Sequence, residues 1–337
     1  MNRYNAKKGP ARRAKRHRKE GHTPMKRSEI LQRLGYTVPA GAVRRVIVDT
    51  DAKNEADDQY AILHHLLTPM FDVRGIIATH FESKAQTPGE TMEMSYREAQ
   101  KLLALAQIDD VPLLRGCPLP LASPADAPDS EGVRFLIEEA RKPDDRPLYI
   151  AVQGAMTNVA AALNRAPDIA DKIVVLWNGG GPYPEGSEGE FNLLQDADAC
   201  RALLASRAEV WQIPQNVYGL LEVSLAELAA RVRPCGALGE YLFAQLREEY
   251  DREFYPGITF RSGENWTLGD NTTIAVLLST GARWHMQRAP RILPDRRYAE
   301  DPDGRPIRVY DWLSARLTLE DLFAKLNLAY GGKTREL

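Results

Sequence analysis

The sequence predicts an α/β fold, in which a mostly parallel, Rossmann-like open sheet carries helices on both faces and a helical lid region. Short runs of β-branched and aliphatic residues alternate along the chain with segments whose apolar residues recur at helical spacing. This alternation is the order that builds parallel sheets. Ligands bind at the carboxyl ends of the strands in such sheets, and the polar motifs of this chain fall at strand-to-helix junctions.

The elements follow one another in order after an amphipathic first helix at residues 25–34. The predicted strands are residues 45–50, 73–79, 149–152, 173–177, 209–213 and 307–310. The predicted helices after the first are residues 57–67, 91–106, 157–163, 196–204 and 318–328. Residues 222–255 are rich in aromatic and charged side chains, and we interpret them as a helical lid that belongs to the same domain.

Composition limits the classes of function. The net charge of −2 gives no general attraction to nucleic acid or to anionic membranes. No apolar run reaches the roughly 20 residues that a membrane span needs, so we predict no membrane association. The three cysteines are widely spaced and odd in number, which suits a reducing compartment and predicts a cytoplasmic protein.

The N-terminal segment differs from the rest of the chain. Residues 1–27 contain eleven lysines and arginines, opposed only by Glu20. Such a segment has little to bury, so we predict a disordered basic tail at 1–27 and a single domain at 28–337. One interpretation is an arm that binds RNA or directs targeting. The other, which we favour, is an extension without function ahead of Met25.

Four carboxylates surround the first strand-to-helix junction: Asp49, Asp51, Asp57 and Asp58. They would repel one another strongly unless a cation lay between them. Oxygen ligands without cysteine or histidine favour Ca²⁺ or Mg²⁺, and Ca²⁺ tolerates an irregular cluster better. Two alternatives stay open, namely helix caps and surface carboxylates, or the aspartate nucleophile of a phosphatase with Lys53 nearby.

These residues resemble the N-terminal signature of the inosine–uridine preferring nucleoside hydrolase family. Three more segments resemble the family's motifs in the right order: residues 153–158, residues 190–196, and Gly269-Asp270 before a helix. The resemblance covers roughly residues 45–330. It implies the family's fold, a ribonucleoside substrate and a homo-oligomer.

The resemblance also implies a metal centre. A Ca²⁺ ion would be held by Asp51, Asp58, Asp270 and the backbone carbonyl of Gln153. A metal-activated water would attack the anomeric carbon, with Asp51 as the general base. The transition state would resemble an oxocarbenium ion, as in other glycoside cleavage.

The sugar and base sites follow from the same resemblance. Asp57 and Asn192 would hold the ribose 2′- and 3′-hydroxyls and take part in catalysis, and Glu190 would reach the 5′-hydroxyl. Glu82 stands where the family has an asparagine near the sugar, so we place it in the substrate site. Trp266 would stack on the base. Other candidates for stacking are Tyr183, Tyr255 and Phe260, and His80 is a candidate acid for the leaving group or a structural histidine.

Two departures from the family pattern bear on the substrate. The first loop is longer than usual, because Asn54 and Glu55 are inserted before the aspartate pair. This Asn-Glu-x-Asp-Asp-Gln version resembles a divergent branch of the family. Gly269 also replaces a histidine that some members place beside the leaving base. We therefore predict a Ca²⁺-dependent N-ribosyl hydrolase, with a metal-dependent sugar- or nucleoside-binding protein of little turnover as one alternative and an aspartate-based phosphatase as the other.

Overall fold

The structure, a computed structural model, describes residues 25–183, 189–253 and 263–332. The strands are β1 (Arg44–Thr50), β2 (Phe71–Ala78), β3 (Leu113–Arg115), β4 (Leu148–Val152), β5 (Ile173–Asn178), β6 (Glu209–Ile213), β7 (Glu222–Ser224), β8 (Asn265–Thr267), β9 (Arg283–Arg288), β10 (Arg291–Ile292), β11 (Tyr298–Ala299) and β12 (Pro306–Trp312). The helices are α1 (Arg27–Gln32), α2 (Asp58–Leu66), α3 (Glu90–Ala106), α4 (Glu131–Arg141), α5 (Thr157–Arg165), α6 (Phe191–Gln195), α7 (Ala197–Ala205), α8 (Gln215–Tyr218), α9 (Leu225–Arg231), α10 (Gly236–Glu253), α11 (Thr272–Leu278) and α12 (Ala315–Tyr330).

Eight strands form one sheet in the order β3-β2-β1-β4-β5-β6-β12-β9. Every neighbouring pair is parallel except β12 with β9, which is antiparallel. The predicted α/β class with a mostly parallel sheet is therefore confirmed. The chain runs outward from β1 to β3 and then returns to place β4 on the other side of β1. The strand order thus reverses between β1 and β4, which is where such sheets bind ligands.

Two apolar cores lie on opposite faces of the sheet. Val46 and Val48 of β1 face a core that includes α2, α3, α10, α11 and α12. Ile47 faces the other core, which includes α4, α5 and α7. Alternate residues of a buried parallel strand point to opposite faces, so the continuous apolar run of β1 supplies both cores.

The predicted lid region is partly wrong. Residues 222–224 form strand β7, which pairs antiparallel with β8, and helices α9 and α10 follow. Several elements were not predicted, among them β3, α4 and β9. The first has three residues, and the sequence of β9, Arg-Trp-His-Met-Gln-Arg, is largely exposed and lacks the apolar run of a buried strand.

Residues 25–27, which were assigned to the tail, contact the domain. The backbone NH of Met25 donates to the Gln107 carbonyl at 2.8 Å. The Arg27 guanidinium donates to the carbonyls of Leu66 at 2.7 Å and Thr68 at 2.9 Å. Residues 1–24 lie outside the described residues, so the disordered tail stays a prediction. No helix in the described ranges combines the length and apolarity that crossing a membrane requires.

Candidate metal centre and active-site cleft

The acidic residues converge at the carboxyl ends of β1 and β4. Asp51 directly follows β1, and the Asp49 carbonyl accepts from the backbone NH of Gln153, directly after β4, at 2.8 Å. Asp58 is the first residue of α2. Asp270 lies in a short 3-10 turn, Gly269–Asn271, that leads into α11. Elements far apart in sequence therefore bring these carboxylates to one edge of the sheet.

Asp57, Asp58 and Asp270 form a close cluster of carboxylates. One oxygen of each lies within 4.8 Å of the others. The backbone NH of Asp270 also donates to Asp57 Oδ2 at 3.2 Å. The cluster differs from the predicted ligand set, because Asp57 was assigned to the sugar while Asp51 lies outside it.

Asp51 lies beside this cluster, and its side chain packs closely against the backbone of Gly154. A Cβ added to Gly154 would be 2.6 Å from the Asp51 carboxyl carbon, so only glycine admits this carboxylate. Repulsion from Asp51 contributes, after burial, to raising the pKa of Asp58. The Asp51 carboxylate is therefore close enough to the cluster for its charge to repel that of Asp58.

The buried carboxylates have unsatisfied acceptors. Asp51 Oδ1 and Asp58 Oδ2 are buried and have no hydrogen-bond partner among the described residues. Burial, followed by repulsion between the carboxylates, raises the pKa values of Asp57, Asp58 and Asp270 well above the ordinary range. Burial also raises the pKa of Asp51, against the hydrogen bond from Asn54 and the charge of Lys84. A hard divalent cation fits this set of oxygen donors, since it would neutralise the charge and ligate the orphaned oxygens.

Neutral side chains hold the carboxylates in place. Asn178 Nδ2 donates to Asp270 Oδ1 at 2.9 Å, and the Thr50 hydroxyl donates to Asp58 Oδ1. Asp49 lies deeper, where Asn158 Nδ2 donates to it at 3.1 Å and burial raises its pKa to about 8.

The backbone carbonyl of Gln153, a predicted metal ligand, accepts a hydrogen bond in this structure. Asn192 Nδ2 donates to it at 3.0 Å and to the Asn178 carbonyl at 2.8 Å. The Asn192 amide thereby joins α6 to the ends of β4 and β5. Its place beside the carboxylates agrees with its predicted role near the sugar, which stays a prediction.

Glu190 has all its acceptor positions occupied. Its carboxylate accepts from the backbone NH groups of Gly180, Asn192 and Leu193 at 2.7 to 3.1 Å. The Tyr218 hydroxyl donates to it at 3.0 Å. Burial raises the pKa of Glu190, and these four donors oppose the shift. A carboxylate has about four lone-pair sites, so Glu190 already acts as the N-cap of α6 and as the anchor of Tyr218.

A cleft of about 500 Å³ opens above the cluster. The predicted site residues that line it are Asp57, Gln153, Glu190, Asn192, Trp266 and Asp270. Asp51 and Asp58 are fully buried beneath it. The inserted Asn54 and Glu55 line the cleft as well, so the insertion faces the site.

Glu82 does not line this cleft. Its carboxylate instead accepts from the backbone NH of Gly89 at 3.0 Å and from the Thr91 hydroxyl. These bonds fix the segment that enters α3. The sequence analysis assigned Glu82 to the substrate site from its position after β2, but the direction of its side chain depends on the turn that follows.

The other proposed contacts also have partners inside the fold. His80 Nε2 lies 2.7 Å from the Thr157 hydroxyl, and burial lowers the histidine pKa to about 4. Tyr183 donates from its hydroxyl to Gln212 Oε1 at 3.0 Å and packs against Tyr298. Tyr255 and Phe260 lie outside the described residues.

Sequence reasoning missed several residues of the site. Asn178 is the last residue of β5, and its position at a strand end would have indicated it. Tyr218 and Lys84 gave no signal, because each enters the site from a segment far away in sequence. Gly154 was part of a recognised motif, but only the close approach of Asp51 explains why it is glycine.

Comparison with known proteins identifies one enzyme family. The sequence profile of the family described as inosine-uridine preferring nucleoside hydrolase matches residues 46–309. The pyrimidine-specific ribonucleoside hydrolase RihA of Salmonella paratyphi A is 25% identical over 273 residues, which is 71% of this chain and 82% of that protein.

Solved structures show the same fold. A purine-preferring ribonucleoside hydrolase from Gardnerella vaginalis superposes with a TM-score of 0.69 at 22% identity, covering 85% of this chain and 99% of that chain. The type III effector protein XopQ, complexed with adenosine diphosphate ribose, gives a TM-score of 0.64 at 16% identity, with coverages of 91% and 99%.

Proposed function

This chain belongs to the inosine-uridine preferring nucleoside hydrolase family, and from that premise we propose that it hydrolyses the N-glycosidic bond of ribonucleosides with the help of Ca²⁺. The observation that carries the proposal is the cluster of Asp57, Asp58 and Asp270 under a cleft that could admit a nucleoside. The orphaned oxygens of Asp51 and Asp58 support a metal there.

Asp57 bears on the choice of ligands. Because it shares the cluster with Asp58 and Asp270, we propose that its carboxylate stands between the metal and the sugar hydroxyls. Asp51, Asp58, Asp270 and the Gln153 carbonyl keep their proposed roles as ligands. A bound divalent cation would supply Lewis acidity, which makes water more acidic and neutralises the carboxylates.

The general base is proposed to be Asp51. Asn54 holds its Oδ2, so we assign the two lone pairs of its unpartnered Oδ1 to the metal and to the proton. Asp51 would take a proton from a water molecule as the water oxygen bonds to the anomeric carbon of the ribosyl group. The bond from that carbon to the base nitrogen breaks, and the leaving base takes up a proton to give free base and ribose.

Substrate recognition is proposed to rest on the residues that line the cleft. Asp57 and Asn192 would hold the 2′- and 3′-hydroxyls, and a deoxy-sugar would leave such buried polar groups unpaired. The Glu190 carboxylate is saturated, so a 5′-hydroxyl would reach it only by displacing the Tyr218 hydroxyl. Trp266 would stack on the base. Glu82 is not proposed as a contact, because it points into the turn before α3.

The alternative of a binding protein with little turnover is favoured by one observation. No histidine occurs among the described residues that line the cleft, so no imidazole is at hand there to protonate a leaving base. The phosphatase alternative is disfavoured, because the described lining also contains no lysine or arginine to receive a phosphate.

A panel of ribonucleosides, 2′-deoxynucleosides, ADP-ribose and a phosphomonoester tests these proposals. We expect reducing-sugar release from ribonucleosides, its loss on treatment with a chelator, and its recovery with Ca²⁺ more than with Mg²⁺. The anionic ADP-ribose should be a poor substrate. Release from no ribonucleoside, together with Ca²⁺-dependent ribose binding, would establish the binding protein. Phosphate release would establish the phosphatase.

We further infer a cytoplasmic homo-oligomer that is formed with a second copy of the chain. All three cysteines are free and buried, as in a reducing compartment. Strand β9 lies at the edge of the sheet, and Trp284 and Met286 on it are 45% and 56% exposed. Such an edge invites pairing with another strand. Light scattering of the wild type and of Met286→Lys tests this: a monomeric wild type contradicts the oligomer, and an unchanged oligomer in the variant contradicts this edge.

A further inference from the structure

A lysine from a neighbouring loop contacts the inserted part of the acidic loop. Lys84 ends a short 3-10 turn, Glu82–Lys84, after β2. Its Nζ donates to the Asn54 backbone carbonyl at 3.0 Å and to Asn54 Oδ1 at 3.2 Å. It also lies 4.0 Å from Glu55 Oε1. One ammonium group therefore contacts both inserted residues.

The Asn54 side chain connects this lysine to Asp51. Its Nδ2 donates to Asp51 Oδ2 at 3.1 Å while its Oδ1 accepts from Lys84. These two contacts fix the amide orientation, because a flipped amide would set NH₂ against the ammonium and oxygen against the carboxylate. Lys84 thus determines which atom of Asn54 faces Asp51.

The turn that carries Lys84 is itself held on the site. The backbone NH of Ser83 donates to Gln195 Oε1 at 3.1 Å, and Gln195 Nε2 donates to the Ser83 hydroxyl at 2.6 Å. The Lys84 ammonium lies 4.8 Å from the centre of the Phe191 ring. Helix α6, which contains Asn192, therefore supports the same turn.

We propose that Lys84 is a positioning residue for Asp51 and acts through the side-chain amide of Asn54. The proposal rests on the proposed function, in which Asp51 is the general base. With Lys84 in place, the Asn54 amide fixes Asp51 Oδ2 and leaves Oδ1 for the metal and the proton. Without Lys84 the amide can rotate, and Asp51 loses its one described donor in a buried setting.

A double-mutant cycle of Lys84→Met and Asn54→Ala tests this coupling. We expect each single variant to lower kcat about tenfold with a smaller change in KM, because a base that is misplaced loses rate more than binding. The kcat of the double variant should match that of the worse single variant within about twofold, because both substitutions remove the same contact to Asp51. Lys84→Arg should recover part of kcat. Lys172→Met, which removes an exposed lysine far from the cleft, is the matched control.

Three results would overturn the proposal: kcat of Lys84→Met close to wild type, effects that multiply in the double variant, or no recovery with arginine. Calorimetric titration with Ca²⁺ alone follows the same cycle without turnover, and both single variants should bind Ca²⁺ more weakly. If no nucleoside is cleaved by the wild type, the proposed function fails while the Ca²⁺ cycle still tests Lys84. If Ca²⁺ does not bind either, a crystal structure of Lys84→Met decides, and unmoved Asn54 and Asp51 side chains refute the coupling.

Discussion

Gly154→Ala addresses the tightest contact of the site. The added Cβ would lie 2.6 Å from the Asp51 carboxyl carbon, 2.8 Å from its Cβ and 2.9 Å from Oδ1. Ordinary contact begins near 3.4 Å, so the carboxylate or the backbone after β4 must move by about 0.8 Å. The side chain cannot simply turn aside, because Asn54 holds its other oxygen and the site is buried.

Two magnitudes follow from this displacement. Overpacking of this kind costs about 1–3 kcal/mol of stability. A misplacement of about 1 Å at a reacting group can cost about 10²-fold in rate, which is about 2.7 kcal/mol in the barrier. We therefore expect kcat/KM to fall by about 10²-fold, with weaker binding of Ca²⁺ and a modest loss in thermal stability.

The assay compares ribose release, Ca²⁺ titration and thermal unfolding for Gly154→Ala and a control. Gly41→Ala is suitable, because its added Cβ meets no atom within 4 Å. The control should match the wild type in all three measurements. If Gly154→Ala folds and keeps kcat/KM and Ca²⁺ affinity near wild type, the added Cβ does not displace the Asp51 carboxylate, and the predicted steric conflict is refuted.

Asp51→Ala should abolish hydrolysis and weaken Ca²⁺ binding, while Asp303→Ala, at an exposed position, should change neither. Activity of Asp51→Ala within about tenfold of wild type would contradict the general-base role. Deleting residues 1–24 should leave turnover unchanged, because so basic a segment has little apolar surface to pack on the domain; a loss would show that the basic tail is functional. Burial lowers the pKa of His65 to about 3. As the pH falls below about 6.5, only the unfolded chain therefore takes up a proton at this histidine. At pH 5 this uptake lowers the free energy of unfolding by about 2 kcal/mol relative to neutral pH. Urea unfolding of His65→Leu should therefore depend less on pH between 7 and 5 than the wild type does, and equal slopes would contradict the assignment.

The sequence was enough to predict the parallel sheet and the edge that carries the site. The reason is local: strands such as β1 and β4 are short apolar runs with a clear end, and the next element along the chain is a helix, α2 or α5. It was not enough for the edge strand β9 or for β7. Exposed or very short strands are stabilised by the neighbour they pair with, which the local pattern does not encode.

The site shows the same division at the level of single residues. The resemblance to the family grouped Asp51, Asp58 and Asp270, and the structure brings them to one edge of the sheet. It assigned Glu190 to the substrate without knowing that four donors, including Tyr218, already occupy its carboxylate. The number of donors around a buried group depends on distant segments, so only the folded chain specifies it.

The acidic loop shows which features the sequence determined and which the tertiary structure determined. The sequence by itself determined that carboxylates crowd the end of β1 and that two residues, Asn54 and Glu55, are inserted among them. Only the tertiary structure decided that Asp57 joins the carboxylate cluster with Asp58 and Asp270, and that Lys84 reaches the insertion. Charge and strand ends are properties of neighbouring residues in the chain, whereas the direction of a loop side chain is set by the elements that pack around it.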